Sequence, residues 1–162
     1  MKKVILFLLV LILNSHEVSA ASASGTGTIA ARIVAAVSVD ETKTLKFGTM
    51  TGDAGVVSIG LTGDRTSTGA NLVEDSTNPP SNGEMLIYGP INQVVYIGSI
   101  SDTTVTSGSA SMSVSNFQTD QTGVVTLTSV DGTPVKIGAK LNVLNSQPEG
   151  DYTGSYTLTV TY

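Results

Sequence analysis

Carboxylates are the side chains with the most evident potential for chemistry in this chain. Ten of them lie between residues 51 and 162: Asp53, Asp64, Glu74, Asp75, Glu84, Asp102, Asp120, Asp131, Glu149 and Asp151. Six of these ten lie beside Gly, Asn or Pro. A glycosidase needs two carboxylates paired across a sugar bond, and no spacing here selects two of them. The Asp-x-Asp-x-Asp-Gly spacing of a calcium loop does not occur either. Because Asp side chains stabilise turns, turn formation is the simpler interpretation.

The residue types of the commonest hydrolases and zinc proteins are also missing. The chain has no Cys and no Trp, and its one histidine, His16, falls in an N-terminal leader. Ser-His-Asp and Cys-His catalysis need an imidazole, and ordinary zinc sites need Cys or His. We therefore predict that the chain is not an enzyme and holds no metal or cofactor.

The leader has the pattern of a secretory signal peptide. Lys2 and Lys3 precede a ten-residue apolar run, Val4 to Leu13, which is too short to span a bilayer. The leader ends in the sequence Val18-Ser19-Ala20, and we place cleavage of the signal peptide after Ala20. Without Lys2, Lys3 and Glu17, six basic and twelve acidic residues remain, a net charge of −6. We expect export to the periplasm and then the cell surface or beyond, no integral membrane segment after cleavage, and no nucleic-acid partner.

The elements that position side chains are strands. The last eleven residues alternate without a break, with Ser or Thr on one face and these residues on the other: Tyr152, Gly154, Tyr156, Leu158, Val160 and Tyr162. This pattern predicts a half-buried strand. An earlier row alternates over Ile29 to Val39 and predicts a first strand, whose apolar face holds Ile29, Ala31, Ile33, Ala35, Val37 and Val39.

Between these rows, short apolar runs are separated by Gly, Asp, Asn and Pro. Strands are predicted at 56–62, 70–73, 85–88, 91–100, 103–106, 110–117, 124–130, 135–137 and 140–144. No helix is predicted after the leader. Short strands with turn residues at near-regular spacing predict an all-β fold, and we favour an immunoglobulin-like antiparallel β-sandwich formed by residues 21–162 as one domain.

Five segments together resemble a bacterial family known as domain of unknown function 4402. They are Ser24 to Thr28, Leu45-Lys46-Phe47-Gly48, Ser111 to Phe117, Val135 to Val143, and Gly150 to Tyr156. Their order along the chain carries the resemblance. The Phe47-Gly48 step and the Gly150-Asp151-Tyr152 sequence are also similar to pilus subunits of the spore coat protein U type. The disulfide that many of those subunits carry is missing here.

The wider similarity implies an incomplete immunoglobulin-like subunit of an archaic chaperone–usher pilus. In such fibres an N-terminal extension of one subunit completes the sheet of the next. Residues 21–39 then become a candidate donor strand, with Ile29, Ala31, Ile33, Ala35 and Val37 filling an acceptor groove lined by Tyr152, Tyr156, Leu158, Val160 and Tyr162. The implied partners are further copies or sibling subunits, a periplasmic chaperone and an outer-membrane usher.

Two other interpretations stay open. The row from Ile29 to Val39 is alternatively the domain's own first strand, which would make the domain self-complete; the family resemblance favours donation slightly. The chain would then be a secreted binding module, an adhesin or a carbohydrate binder, with Tyr88 and Tyr96 as candidates for an exposed aromatic patch.

Overall fold

A computed structural model describes residues 21–162 of the chain. The signal peptide expected over residues 1–20, with cleavage after Ala20, lies outside the described residues. The chain divides into two units, Met1–Ile33 and Val34–Tyr162. In the first unit, residues 21–33 carry no regular secondary structure and every one of them is exposed.

The second unit consists of twelve strands joined by turns and loops. They are β1 (Ser38–Lys43), β2 (Thr49–Met50), β3 (Gly55–Ile59), β4 (Arg65–Thr68), β5 (Leu72–Val73), β6 (Gly83–Tyr88), β7 (Val94–Ile97), β8 (Thr103–Ser107), β9 (Ala110–Thr119), β10 (Gly123–Thr126), β11 (Thr133–Val143) and β12 (Val160–Thr161). All the pairings are antiparallel. No helix occurs in residues 21–162, and the all-β prediction is confirmed.

The largest sheet has seven strands and is centred on β11. One edge of β11 pairs first with β6, over Thr133–Ile137, and then with β3, over Ala139–Val143. The other edge pairs with β9. β1 extends the sheet beyond β6, β4 extends it beyond β3, and β8 extends it beyond β9. The strand that the sequence divides into two apolar runs is therefore one continuous element.

Gly138 lies where β11 changes partner from β6 to β3. A Cβ atom at this position would lie 2.5 Å from the carbonyl oxygen of Ile59, and the register against β9 shifts between Gly138 and Lys140. A glycine inside a strand often marks a close backbone approach or a bulge. It explains why the sequence pattern weakens here although the strand continues.

Two smaller sheets complete the fold. Strands β10, β7 and β12 form a three-stranded sheet in that order, and β2 pairs with β5 in a two-stranded ribbon. A first core cluster joins β6 and β11 to the three-stranded sheet through Ile87, Val95, Ile97, Ile100, Leu127, Val135, Ile137 and Leu158. A second cluster lies among β3, β9 and β11 and consists of Val57, Ala70, Met112, Val114, Ala139, Leu141 and Val143.

Both terminal strand predictions differ from the structure. The row predicted from Ile29 to Val39 contributes only Ser38 and Val39 to β1, which continues to Lys43. The C-terminal row contributes only β12 as a strand, with one isolated bridge between Thr153 and Thr106. Alternation reports which side chains share a face, whereas a strand also needs a neighbouring backbone in register.

Candidate functional site

The C-terminal segment, residues 152–162, keeps the side-chain alternation predicted from the sequence. Leu158 is buried, and Tyr152, Tyr156 and Val160 are half-buried, whereas Tyr162 is 62% exposed. The intervening Ser and Thr residues are all exposed. Leu158 belongs to the first core cluster, and Tyr156 and Val160 pack against it. Tyr152 instead packs against the second cluster, so the segment spans both.

The backbone of this segment passes from one sheet to another. Thr153 exchanges two hydrogen bonds with Thr106 at the edge of the seven-stranded sheet, at 2.8 and 3.0 Å. Val160 pairs with Ile97 in the three-stranded sheet. Eight residues lie between Ile97 and Thr106, but only six lie between Thr153 and Val160. The register therefore shifts by two residues, and strand pairing is interrupted between the two contacts.

The interruption leaves a shallow polar cavity of about 250 Å³. Its walls are the two segments that separate, and they supply mostly hydroxyl groups: Ser99, Ser101, Asp102, Thr103, Ser155, Tyr156, Thr157 and Thr159. Thr103 Oγ1 donates a hydrogen bond to the carbonyl oxygen of Ser155 at 3.0 Å. Among residues 21–162, no backbone–backbone hydrogen bond is made by residues 154–158.

Tyr156 anchors the segment across the core. Its ring packs on Phe117 with 5.4 Å between the ring centroids. Its hydroxyl is buried and has no hydrogen-bond partner among residues 21–162. Burial, with the negative charge of Glu41 as a second cause, raises the pKa of Tyr156 to about 12. The phenol is therefore neutral under physiological conditions and belongs to the apolar surface.

The edges of the sheets differ in charge. Strands β1, β4, β8, β10 and β12 each pair with a single strand in their sheets. Charged side chains and short length commonly protect an edge against unwanted pairing. β1 carries Asp40, Glu41 and Lys43, whereas residues 152–162, which include β12, carry no charged side chain. β12 is only two residues long, so short length and not charge limits strand pairing at the C-terminal edge.

The five N-terminal residues predicted as a donor row do not lie together in a sheet. Ile29 is 99% exposed and Ile33 97% exposed, and Ala31 and Ala35 are exposed as well. Val37 differs because it is half-buried and packs against the first core cluster of its own domain.

The carboxylates are mostly engaged in turns and loops, as the sequence indicates. Thr51 and Asn71 donate hydrogen bonds to Asp53 and lower its pKa. The hydroxyl and the backbone N–H of Thr77 donate hydrogen bonds to Asp75, and the hydroxyl of Thr49 donates another. These bonds lower the pKa of Asp75 to about 2. Within residues 21–162, no three His, Asp or Glu side chains gather in a way that could hold a metal ion.

The two tyrosines of the alternative binding patch are separated by the fold. Tyr96 lies on β7 and is 55% exposed, whereas Tyr88 lies on β6, is half-buried, and borders Gly132. They lie in different sheets, and only Tyr96 presents an open ring.

Arg65 is a structural residue that sequence reasoning missed. Its side chain is 5% exposed, and its guanidinium donates to the carbonyl oxygens of Phe47, Thr49 and Val73 at 3.0–3.3 Å. It also meets the exposed carboxylate of Glu74 at 3.0 Å. The available signal was that Arg65 is the one arginine between Val34 and Tyr162.

A family model described as Domain of unknown function (DUF4402) matches residues 37–162. The chain belongs to this family. A search of the curated proteins and a search of the solved structures found no match. The matched region begins at Val37, so the apolar row formed by Ile29, Ala31, Ile33 and Ala35 precedes it. Residues 21–162 contain no helix that is long and apolar enough to cross a lipid bilayer.

Proposed function

We propose that this DUF4402 chain is a structural subunit of an extracellular pilus or surface fibre that polymerises by β-strand donation. The domain is an incomplete immunoglobulin-like sandwich of the kind found in spore coat protein U type pilus subunits. The main support is an exposed, alternating apolar row, including Ile29 and Ile33, that precedes the family domain. A row of large apolar side chains that are almost fully exposed is typical of a surface that binds a partner.

The C-terminal segment is the acceptor in this proposal. Its apolar face already reaches both core clusters, while the backbone of residues 154–158 makes no backbone–backbone bonds within residues 21–162. A donated strand would supply those bonds, and its apolar residues would add to the first core cluster. The residues assigned to this surface are Tyr152, Tyr156, Leu158, Val160 and Tyr162. The donor residues are Ile29, Ala31, Ile33 and Ala35, with Val37 at the junction to the donor's own domain.

Export and assembly partners follow from the same mechanism. The leader sends the chain to the periplasm, where an exposed strand edge would cause aggregation unless it is covered. A periplasmic chaperone covers it with a temporary strand, and an outer-membrane usher then exchanges that strand for the next subunit's N-terminus.

The substitution Ile33→Asp tests the donor role. It places a carboxylate in the middle of the row that enters the acceptor groove, where an unpaired charge is strongly unfavourable. On an unheated SDS gel, we expect wild-type protein from the cell surface to give a ladder that collapses on boiling. Ile33→Asp should give no ladder, with monomer retained in the periplasm.

Val34→Asp is the matched control because Val34 is adjacent but alternates to the opposite face of the row. It should keep the ladder. A normal ladder from Ile33→Asp would contradict strand donation. A wild-type monomer that is folded and stable without a chaperone would instead favour the self-complete binding module, for which exposed Tyr96 is the specific supporting feature.

A further inference from the structure

We propose that Arg32 of one copy forms an ion pair with Asp102 of the next copy, and that this pair positions the donated strand in its acceptor. The inference rests on the proposed function and deepens it by naming a polar contact between donor and acceptor. It concerns the polar cavity between residues 99–103 and 155–159, which the apolar donor residues leave without a counterpart.

Asp102 is the one charged residue that lines this cavity. The remaining lining residues are serines, threonines and Tyr156. Asp102 is exposed, and its Oδ1 atom accepts a hydrogen bond from the backbone N–H of Asn116 at 3.2 Å. That bond orients the carboxylate and occupies one of its two oxygens, and a carboxylate can accept further hydrogen bonds.

The chain around Asp102 supplies no ionic partner for it. Residues 85–101 and 103–119 carry no charged side chain, and neither does the C-terminal segment, residues 152–162. Lys140 of β11 lies opposite Ser115 of β9, but within residues 21–162 the one ion pair joins Arg65 to Glu74. In the part of the chain that the structure describes, Asp102 is therefore an unpaired carboxylate.

Arg32 is the matching cation of the N-terminal segment. It is exposed, and it is the only charged residue in residues 21–39. It immediately precedes Ile33, so in an extended strand its side chain lies on the face opposite to the apolar row. A guanidinium presents planar pairs of N–H donors, a geometry that suits a carboxylate.

The division of faces places the two side chains on the same side of the sheet. In the C-terminal segment Leu158 is buried in the first core cluster, whereas the hydroxyl residues of the opposite face line the cavity. Neighbouring strands of a sheet share their two faces. A donated strand that directs Ile33 towards the core therefore directs Arg32 to the side that holds Asp102.

The apolar row cannot fix its own register, because it repeats every four residues as Ile29, Ala31, Ile33 and Ala35. A shift by four residues puts Ile29 where Ile33 was and keeps the same face towards the core. The same shift moves Arg32 about 13 Å along the strand. An ion pair with Asp102 distinguishes the two alignments, which apolar packing alone does not.

Donor and acceptor also carry opposite charge. Residues 37–162 contain five basic and twelve acidic residues, a net charge of −7, whereas Arg32 is the only charged residue in residues 21–36. Complementary charges steer two partners together and disfavour wrong alignments. The acidity that makes whole copies repel each other therefore attracts the N-terminal segment.

Charge reversal tests the pair. Asp102→Arg should shorten the half-life of the SDS-resistant ladder at a fixed temperature by about tenfold or more, because it sets two cations against each other. Arg32→Glu should have a similar effect, since it places two carboxylates together. The double variant Arg32→Glu/Asp102→Arg restores opposite charges and should recover most of the wild-type half-life.

Asp131→Arg is the matched control, because Asp131 is an exposed carboxylate that does not line the cavity. It changes the net charge as Asp102→Arg does, so it should leave the ladder unchanged and should not rescue Arg32→Glu. Asp102→Asn removes the charge but keeps an oxygen that can accept the Asn116 N–H. It should fold like the wild type and shorten the half-life less than Asp102→Arg does.

The outcomes separate this inference from the proposed function. A wild-type protein that forms no ladder overturns strand donation and the ion pair with it. A ladder that is as stable in Asp102→Arg and Arg32→Glu as in the wild type overturns the ion pair and leaves donation standing. Losses in both single variants without recovery in the double variant overturn the pair as well.

Discussion

At the scale of single residues, Tyr156 determines how the C-terminal segment is held. Its ring fills space between Phe117 and the first core cluster, while its hydroxyl lies near Gly83, where a Cβ would come within 2.6 Å of it. A buried hydroxyl without a partner is unfavourable by itself. The ring therefore stabilises the segment and the oxygen does not.

Tyr156→Phe should leave the free energy of unfolding unchanged or raise it by up to about 1 kcal/mol near pH 7, because it removes an unsatisfied group and keeps the ring. Alkaline pH should separate the two proteins further. The pKa is about 12 in the folded state against an ordinary 10, so the unfolded chain loses the proton first. Wild-type stability then falls as pH rises from 10 through 12.

Urea unfolding at pH 7, 9 and 11 measures this difference. The gain of Tyr156→Phe over wild type should be larger at pH 11 than at pH 7. A loss of stability in Tyr156→Phe at pH 7 would mean that the hydroxyl has a favourable partner in solution, and the account of this residue would be wrong.

At the scale of elements, the β2–β5 ribbon depends on Arg65. Two strands of two residues each cannot be stable alone, and the ribbon is held by the guanidinium bonds to Phe47, Thr49 and Val73. The ribbon in turn covers the second core cluster through Met50 and Leu72. The Arg65 side chain thus stabilises the β2–β5 ribbon, which apolar contacts alone would not hold in place.

Arg65→Met should lower the free energy of unfolding by about 1–3 kcal/mol, because partly buried carbonyl oxygens lose their donors. Glu74→Ala should change it by less than about 0.5 kcal/mol, since Glu74 is 94% exposed and a surface ion pair contributes little. Guanidinium chloride unfolding of both variants measures the two effects. Equal losses in the two variants would show that the ion pair, and not the carbonyl bonds, holds the ribbon.

At the scale of the whole molecule, strand donation would join the exposed N-terminal row to the C-terminal segment of another copy. The row has exposed apolar side chains, and residues 154–158 make no backbone–backbone hydrogen bond within residues 21–162. If they meet between copies, each subunit is stabilised by the next, and the free energy of that binding adds to the stability of the acceptor.

A peptide of residues 25–37 should therefore raise the Tm of a chain that begins at Val37, in proportion to the logarithm of peptide concentration once binding is nearly saturated. The same peptide with Ile33→Asp should have little effect, because its carboxylate would be buried without a partner. Differential scanning calorimetry at several peptide concentrations gives the measurement. Equal shifts from the two peptides would indicate nonspecific binding and count against donation.

The sequence by itself determined the fold class and the faces of most strands. Period-2 patterns with Gly, Asp and Asn turns indicated an all-β domain. The C-terminal alternation placed buried Leu158 and half-buried Tyr152, Tyr156 and Val160 on one face, although Gly154 and Tyr162 of that face are exposed. Local sequence is enough to predict these properties. The residue types set the tendency to form a strand, and their alternation sets which face of the strand is buried.

Only the tertiary structure decided which backbones pair. The break in pairing between Thr153 and Val160 arises from a mismatch in length with a distant segment, Ile97 to Thr106. Gly138 lets another backbone approach β11 closely, because a Cβ at this position would lie 2.5 Å from the carbonyl oxygen of Ile59. The row at Ile29 has strand-like alternation but no strand, because residues 21–33 make no sheet pairing. Pairing joins residues far apart in sequence, and no local pattern encodes their register.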